Sequence, residues 1–281
     1  MPISQASATQ RSGRAGRIEP GICIRLWAEH ATDGLILSHR PEILGCDLTG
    51  LVLELAVWGV SDPAELQWLD LPPKERFAAA RLLLQQLGAL DDKQRITDHG
   101  KQLADLPLHP RLAHMVVRGV KDGAGFNACL LAALISEKDP LHFDRDHYQA
   151  DLQLRIDIIE SLLKNGSARS LPRIHNGRID TGLARRIANT ACDLARRMKT
   201  PKKLRNCDYG RLLAWGYPER IGCRRPQSEV NYLLAGGQGA YLGPGDSLSH
   251  PDHLGPARFL ALVIRSGKKG YEGKISKTLL A

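Results

Sequence analysis

Apolar residues recur at helical spacing through most of this chain and change to alternation near its end. Leu48, Leu51, Val52, Leu55 and Val57 outline a helix with a broad apolar face. Gly59 with Asp62-Pro63 stops it and starts the next. Pro72-Pro73 introduces a third helix, on which Phe77, Ala80, Leu83, Leu84 and Leu87 share a stripe that Gly88 ends. Residues 89–97 alternate as two short strands around a charged turn, and Thr97-Asp98 caps a further helix. Helices followed by a small hairpin predict a winged helix over 41–106. Such modules often read DNA, but Lys74, Arg76 and Arg81 are the only cations on the candidate recognition helix and Glu75 opposes them, which is weak for that purpose.

Helical spacing continues to about Pro218. Ala124 to Ile135 is apolar enough to be the central helix of a bundle, Asp151 to Leu163 is a second helix, and Leu183, Ile187, Ala191, Leu194 and Met198 form the stripe of a third. Pro140 to Ala150 reads as a charged loop, and its His142 and His147 are spaced poorly for a metal. Beyond about residue 219 the texture changes. Val230–Leu234, Ala240–Leu242, Phe259–Ile264 and Ile275–Leu280 read as strands between Gly/Pro-rich turns. Gly236-Gly237-Gln238-Gly239 lacks dinucleotide-site spacing and reads as a tight turn. An OB-like β domain over 219–281 fits this pattern. At the other end, a helix over Ser4–Arg17 followed by a buried strand over Gly21–Trp27 predicts a piece of an α/β lobe, with Glu29–Arg40 as a connector. The class is therefore α+β and predominantly helical, in four segments: 1–40, 41–106, 107–218 and 219–281.

Charge sharpens the picture. The net charge of +9 is uneven, because Lys164 to Arg225 holds 16 Lys/Arg against 4 Asp/Glu. A basic block on an otherwise slightly acidic chain suggests a polyanion such as RNA. On the third bundle helix Arg185 and Arg196 lie about 20° apart opposite the apolar stripe, flanked by Arg186 and Arg197, and Lys202, Lys203 and Arg205 extend the set. These seven are the candidate nucleic-acid contacts. Aromatic residues make up only 5% of the chain, which argues against base stacking as the main binding mode. The six cysteines form no C-x-x-C pair and read as free thiols of a reducing, cytoplasmic compartment. The longest apolar run, Ala128 to Ile135, is too short for a bilayer, so no membrane is expected.

The densest chemistry lies in Gln10-Arg11-Ser12-Gly13-Arg14-Ala15-Gly16-Arg17. On a continuous helix at about 100° per residue, Gln10, Arg14 and Arg17 would share one face. Two guanidinium groups beside an amide suit phosphate oxygens, and the interleaved glycines allow a close approach to the backbone.

This octapeptide resembles motif VI of superfamily 2 helicases in its DEAH-box form. The resemblance extends through Pro41-Glu42-Ile43-Leu44, Asp47-Leu48-Thr49-Gly50-Leu51 and Leu103 to Ala113, then Tyr217 to Ile221 and Tyr232 to Ala240, and so covers nearly the whole chain. It implies the C-terminal part of an ATP-dependent RNA helicase, from motif VI onward. The first 40 residues would end the second RecA-like lobe. Arg14 and Arg17 would be arginine fingers and Gln10 would position water or phosphate. The 107–218 bundle would lie along single-stranded RNA. No G-x-x-x-x-G-K-[ST] loop and no acidic DEAH box occur in this sequence. ATP and Mg²⁺ would therefore need upstream RecA-like lobes, and this chain alone is expected to hold neither and to be inactive. The rival expectation is a non-catalytic nucleic-acid-binding or adaptor module.

Overall fold

The computed structural model describes all residues except 1–2, 144–148, 167–170, 176, 227, 229, 243–245, 247, 249–258, 265–271 and 281, with backbone alone for 259–264 and 272–280. The loop histidine His147 lies outside these residues.

The first 40 residues hold helix α1 (Gln5–Ser12) and the short α2 (His30–Asp33). Ser4 starts α1 by accepting from the Ser7 N–H, and the buried Ala8 faces inward. The Gln5 and Ala6 amides donate to the Ile36 and Leu37 carbonyls, so the connector folds back on the helix start. Two expectations fail here. The helix ends at Ser12 and not at Arg17, because Gly13 closes it and residues 13–16 turn. Residues 21–27 form no strand and are not buried: Ile22 is 89% and Leu26 92% exposed. A lone strand has no neighbour to pair its backbone or cover its side chains, and no other strand of such a lobe lies among the described residues.

The winged-helix pattern is present. Helix α3 (Thr49–Val57) buries Val52, Leu53 and Leu55. A 3₁₀ turn at Pro63–Glu65 stands where the second helix was expected, held by a reciprocal Asp62/Glu65 capping box. Helix α4 (Lys74–Gln86) buries Phe77, Ala80 and Leu84, and Gly88 ends it at φ +71°, a left-handed conformation that favours glycine. The wing is reduced to one antiparallel bridge, Leu90 to Ile96, around an Asp91–Arg95 ion pair. Thr97 then caps α5 (Asp98–Ala104).

Among the described residues the bundle contains five α-helices. Helix α6 (Pro110–Lys121) starts with proline at its first turn, where no N–H is missed. Helix α7 (Gly125–Ser136) is buried through ten consecutive positions and forms the central rod. Helices α8 (Leu152–Asn165), α9 (Thr181–Arg197) and α10 (Tyr209–Gly216) start on the side chains of Asp151, Asp180 and Asp208. Within the expected charged loop, β1 (Leu141–Phe143) carries His142 and pairs antiparallel with β2 (Gly177–Ile179). One apolar core runs continuously from Leu48 to Tyr217, so the winged helix and the bundle share it.

The last segment is a closed barrel of β3 (Ile221–Arg224), β4 (Asn231–Leu234), β5 (Gly239–Tyr241), β6 (Phe259–Ile264) and β7 (Glu272–Leu280). The spatial order is β3-β4-β5-β7-β6, with β5 and β7 parallel. Its own small core contains Tyr232, Leu234, Ala240 and Leu242. Among the described residues no helix is long and apolar enough to cross a membrane, and no group of three or more His/Cys/Asp/Glu could hold a metal.

Candidate functional site

The Arg/Gly octapeptide forms the tip of α1 and the loop beyond it. Gln10 is exposed on the last turns of the helix, while Arg14 and Arg17 lie in the following turn and bend, also exposed. They do not share a helical face, since the helix stops before them. A different device shapes the loop. A Cβ at Gly21 would lie 1.8 Å from the Ala15 carbonyl oxygen, so only a residue without a side chain lets the two stretches meet there. The close approach is thus made by Gly21 to the chain itself, whereas a Cβ at Gly16 would meet nothing within 4 Å and one at Gly13 would make only ordinary contact. Among the described residues neither Arg14 nor Arg17 has a carboxylate within ion-pair distance. Two guanidinium groups thus stand in water without a counter-charge, available to an anion.

On α9, Leu183, Ala184, Ile187, Ala188, Ala191, Leu194 and Ala195 are buried, and this face packs the helix on the core. Arg185, Arg186, Arg196 and Arg197 are exposed on the remaining circumference, as the spacing predicts. Arg196 contacts Asp193 at 3.0 Å and Arg186 contacts Glu137 at 3.7 Å. Exposed pairs of this kind are worth about 0–1 kcal/mol, so both arginines can exchange partners. Lys202, Lys203 and Arg205 are also exposed, in the loop after α9.

That loop is held by a residue the sequence reading missed. Asn127, buried in the otherwise apolar α7, donates to the Arg205 carbonyl at 3.0 Å and accepts from the Arg205 N–H at 3.0 Å. Its amide also donates to the Tyr209 hydroxyl at 2.8 Å, which in turn donates to Glu160 at 3.3 Å. Burial pushes the Tyr209 phenol up, so it stays a neutral donor. A polar residue inside an apolar helix was the available signal, because a buried amide must find partners.

The winged-helix cations are tied to the protein. Arg76 donates to the Gly45 and Cys46 carbonyls at 2.9 and 3.3 Å, and Arg81 sits 4.8 Å over the Phe77 ring. This supports structural roles for both. At the junction with the barrel, Arg111 makes a two-pronged contact with Glu219 at 2.9 Å and donates to the Gly216 carbonyl. Beside it, the His109 hydrogen bond and those from Thr49 hold the Asp47 carboxyl well below the usual range.

The chain thus joins an exposed Arg/Gly loop, a winged-helix pattern and a helical bundle on one shared core, and a closed barrel. Residues 80–108 match the family model described as the winged-helix "Helicase associated domain (HA2)". The chain is 34% identical over 280 residues to the ATP-dependent RNA helicase HrpB of Escherichia coli, covering 99% of this chain and 30% of that protein. It is 38% identical over 154 residues to E. coli HrpA, covering 53% of this chain and 12% of the relative. A crystal structure of E. coli DEAH/RHA helicase HrpB superposes with a TM-score of 0.72 at 31% identity, over 100% of this chain and 31% of that one. By sequence and fold this chain is similar to the C-terminal region of HrpB-like DEAH-box RNA helicases, and it spans about a third of the length of HrpB.

Proposed function

We propose that this chain is the accessory and RNA-guiding part of an ATP-dependent RNA helicase, unable to turn over ATP by itself. Residues 1–40 are read as the end of the second RecA-like lobe, 41–106 as the winged helix, 107–218 as a ratchet-like bundle and 219–281 as an OB-like barrel. The barrel's strand order and its parallel β5–β7 pair support the last of these. The exposed apolar residues Ile18, Ile22, Ile24 and Leu26 support the first, because such a cluster in water is the uncovered side of a core. The upstream RecA-like lobes are its proposed cover. In that assembly Arg14 and Arg17 would hold ATP phosphates as arginine fingers, and Gln10 would orient water or phosphate. ATP supplies the phosphoryl group whose transfer to water drives movement, and an arginine finger is worth about 10³–10⁵ in rate. A cytoplasmic location accords with free cysteines throughout.

The observation that carries this reading is the pair of uncompensated guanidinium groups within a motif VI-like loop, on a chain matched along its whole length by a helicase. The RNA partner rests on the exposed arginines of α9 and the basic loop after it. Single-stranded oligouridylate should bind the chain with little sequence preference, its affinity falling with salt at a log–log slope of about −0.7 per phosphate neutralised. Fluorescence anisotropy across a salt series measures this. Binding that does not respond to salt would overturn the phosphate-contact reading.

A further inference from the structure

The cations of α9 do not end at Arg197. The loop that follows runs past the corner between α6 and α7: Thr200 packs over Gly125, and the Arg205 guanidinium lies over Gly123, about 3.1 Å from where a Cβ would stand. At this corner the exposed Arg118 and Lys121 leave the last turns of α6, and Arg211 leaves the first turn of α10. Trp215, one turn farther along α10, is the centre of the cluster. The Arg118 guanidinium carbon is 4.7 Å from its ring centroid and that of Arg211 is 5.4 Å from it. Two carboxylates lie close by. Asp122 pairs with Arg211, and Asp208 is engaged as the α10 cap, accepting from the Arg211 N–H at 3.2 Å. Against them stand Arg118, Lys121, Arg205 and Arg211, and the first three have no ion-pair partner among the described residues.

Two arginines against one half-buried indole, with Lys121 at the end of α6 and Arg205 over Gly123 beside them, exceed what the α6 C-terminus needs. A helix end carries roughly half a negative charge and is satisfied by one cation. The surplus positive charge calls for phosphate, and the Arg–Trp–Arg group adds flat surfaces on which unpaired bases stack. An acidic protein segment would use the charge but not the stack.

We infer that the α6–α10 corner is a second contact for single-stranded nucleic acid, in which phosphates meet Lys121 and Arg205 and a base stacks on the Arg118–Trp215–Arg211 group, continuing the track along α9. The inference rests on the RNA reading above and locates a site that reading does not contain. It is compatible with the expectation from composition that stacking is not the main binding mode, since one well-placed aromatic is sufficient for one base.

The test compares a twelve-residue oligouridylate with an abasic oligomer of equal length, and with a glutamate-rich peptide, on the whole chain. The wild type should bind oligouridylate about tenfold more tightly than the abasic strand. Arg118→Lys keeps the charge and loses the plane, so it should shrink that ratio while leaving the salt slope unchanged. Arg118→Gln with Arg211→Gln should lower both. Trp215→Leu should abolish the ratio, and circular dichroism of each variant checks folding; the two exposed arginine substitutions give the answer even if the tryptophan variant does not fold. An unchanged ratio in Arg118→Lys and Arg118→Gln/Arg211→Gln, with binding still weakened by Arg185→Ala/Arg196→Ala, would overturn the corner site and leave the α9 track standing. Loss of all oligouridylate binding by the wild type would overturn both, and tighter binding of the peptide than of oligouridylate would assign the corner to a protein partner instead.

Discussion

His114 shows how a single side chain joins two parts of this molecule. It projects from α6 and meets His99 of α5, with Nε2 of His99 2.8 Å from Nδ1 of His114 and the rings edge to face. Burial pushes His114 down to about 4, helped by His99, Arg118 and Lys121, while a hydrogen bond to the Leu87 backbone acts the other way. His99 is lowered as well, first by burial and then by Lys121 and Arg118. The folded chain therefore refuses a proton that the unfolded chain accepts below pH 6.5, the ordinary histidine value. Stability should be full above pH 6.5 and decline as pH falls from there toward about 4. Thermal melts at pH 7 and pH 5 should show a smaller drop for His114→Gln than for wild type. Equal drops would place the proton elsewhere. The residue types of the Arg/Gly loop were legible in the sequence, but their geometry was not. Placing Gln10, Arg14 and Arg17 on one face assumes a helix through Gly13, and the chain instead turns at residues 13–16.

Elements were legible wherever the local chemistry was complete. Thr97 caps the helix it was expected to cap, the helix expected from Asp151 is present with Asp151 as its cap, and Gly88 ends α4. Helix α6 was not predicted although Pro110 at its first turn and the apolar positions from Leu112 to Val117 signal it. The β1–β2 ribbon could not be read, since three-residue strands carry no period and their pairing links positions 141 and 179. Strand β3, with four residues, is nearly as short. The Gly21–Trp27 strand failed for the opposite reason: its apolar run is clear, but a strand exists only with partners. Helix α9 is the element where pattern and structure agree most closely, apolar positions inward and arginines outward. Replacing Arg185 and Arg196 together by alanine should therefore flatten the salt dependence of oligouridylate binding without lowering the melting temperature by more than a degree or two, on the order of the small worth of exposed charges. An unchanged slope would mean that these arginines face only solvent.

At the scale of the whole molecule, the shared core from Leu48 to Tyr217 makes the winged helix and bundle one mechanical body. The boundary expected at 106/107 falls between α5 and α6, which face each other through the His99–His114 contact. Arg111 ties this body to the turn entering the barrel. The N-terminal segment is different: it has a motif VI-like loop, an uncovered apolar cluster and no phosphate loop of its own. Isothermal calorimetry of the isolated chain should show no micromolar ATP binding, since two arginines cannot replace a ring of backbone N–H donors and its lysine.

The central claim is that Arg14 and Arg17 serve ATP and that the body behind them serves RNA. Single-turnover ATP hydrolysis by this chain fused to its upstream RecA-like lobes tests it most directly, with melting temperature and RNA affinity taken on the same preparations. Arg14→Ala or Arg17→Ala should slow hydrolysis by about 10³ or more and leave the other two readings nearly unchanged. Arg→Lys should be almost as severe, because an ammonium cannot reproduce the planar fork. Parallel loss of hydrolysis, stability and RNA affinity would show that these arginines hold the lobe together, and would contradict the catalytic assignment.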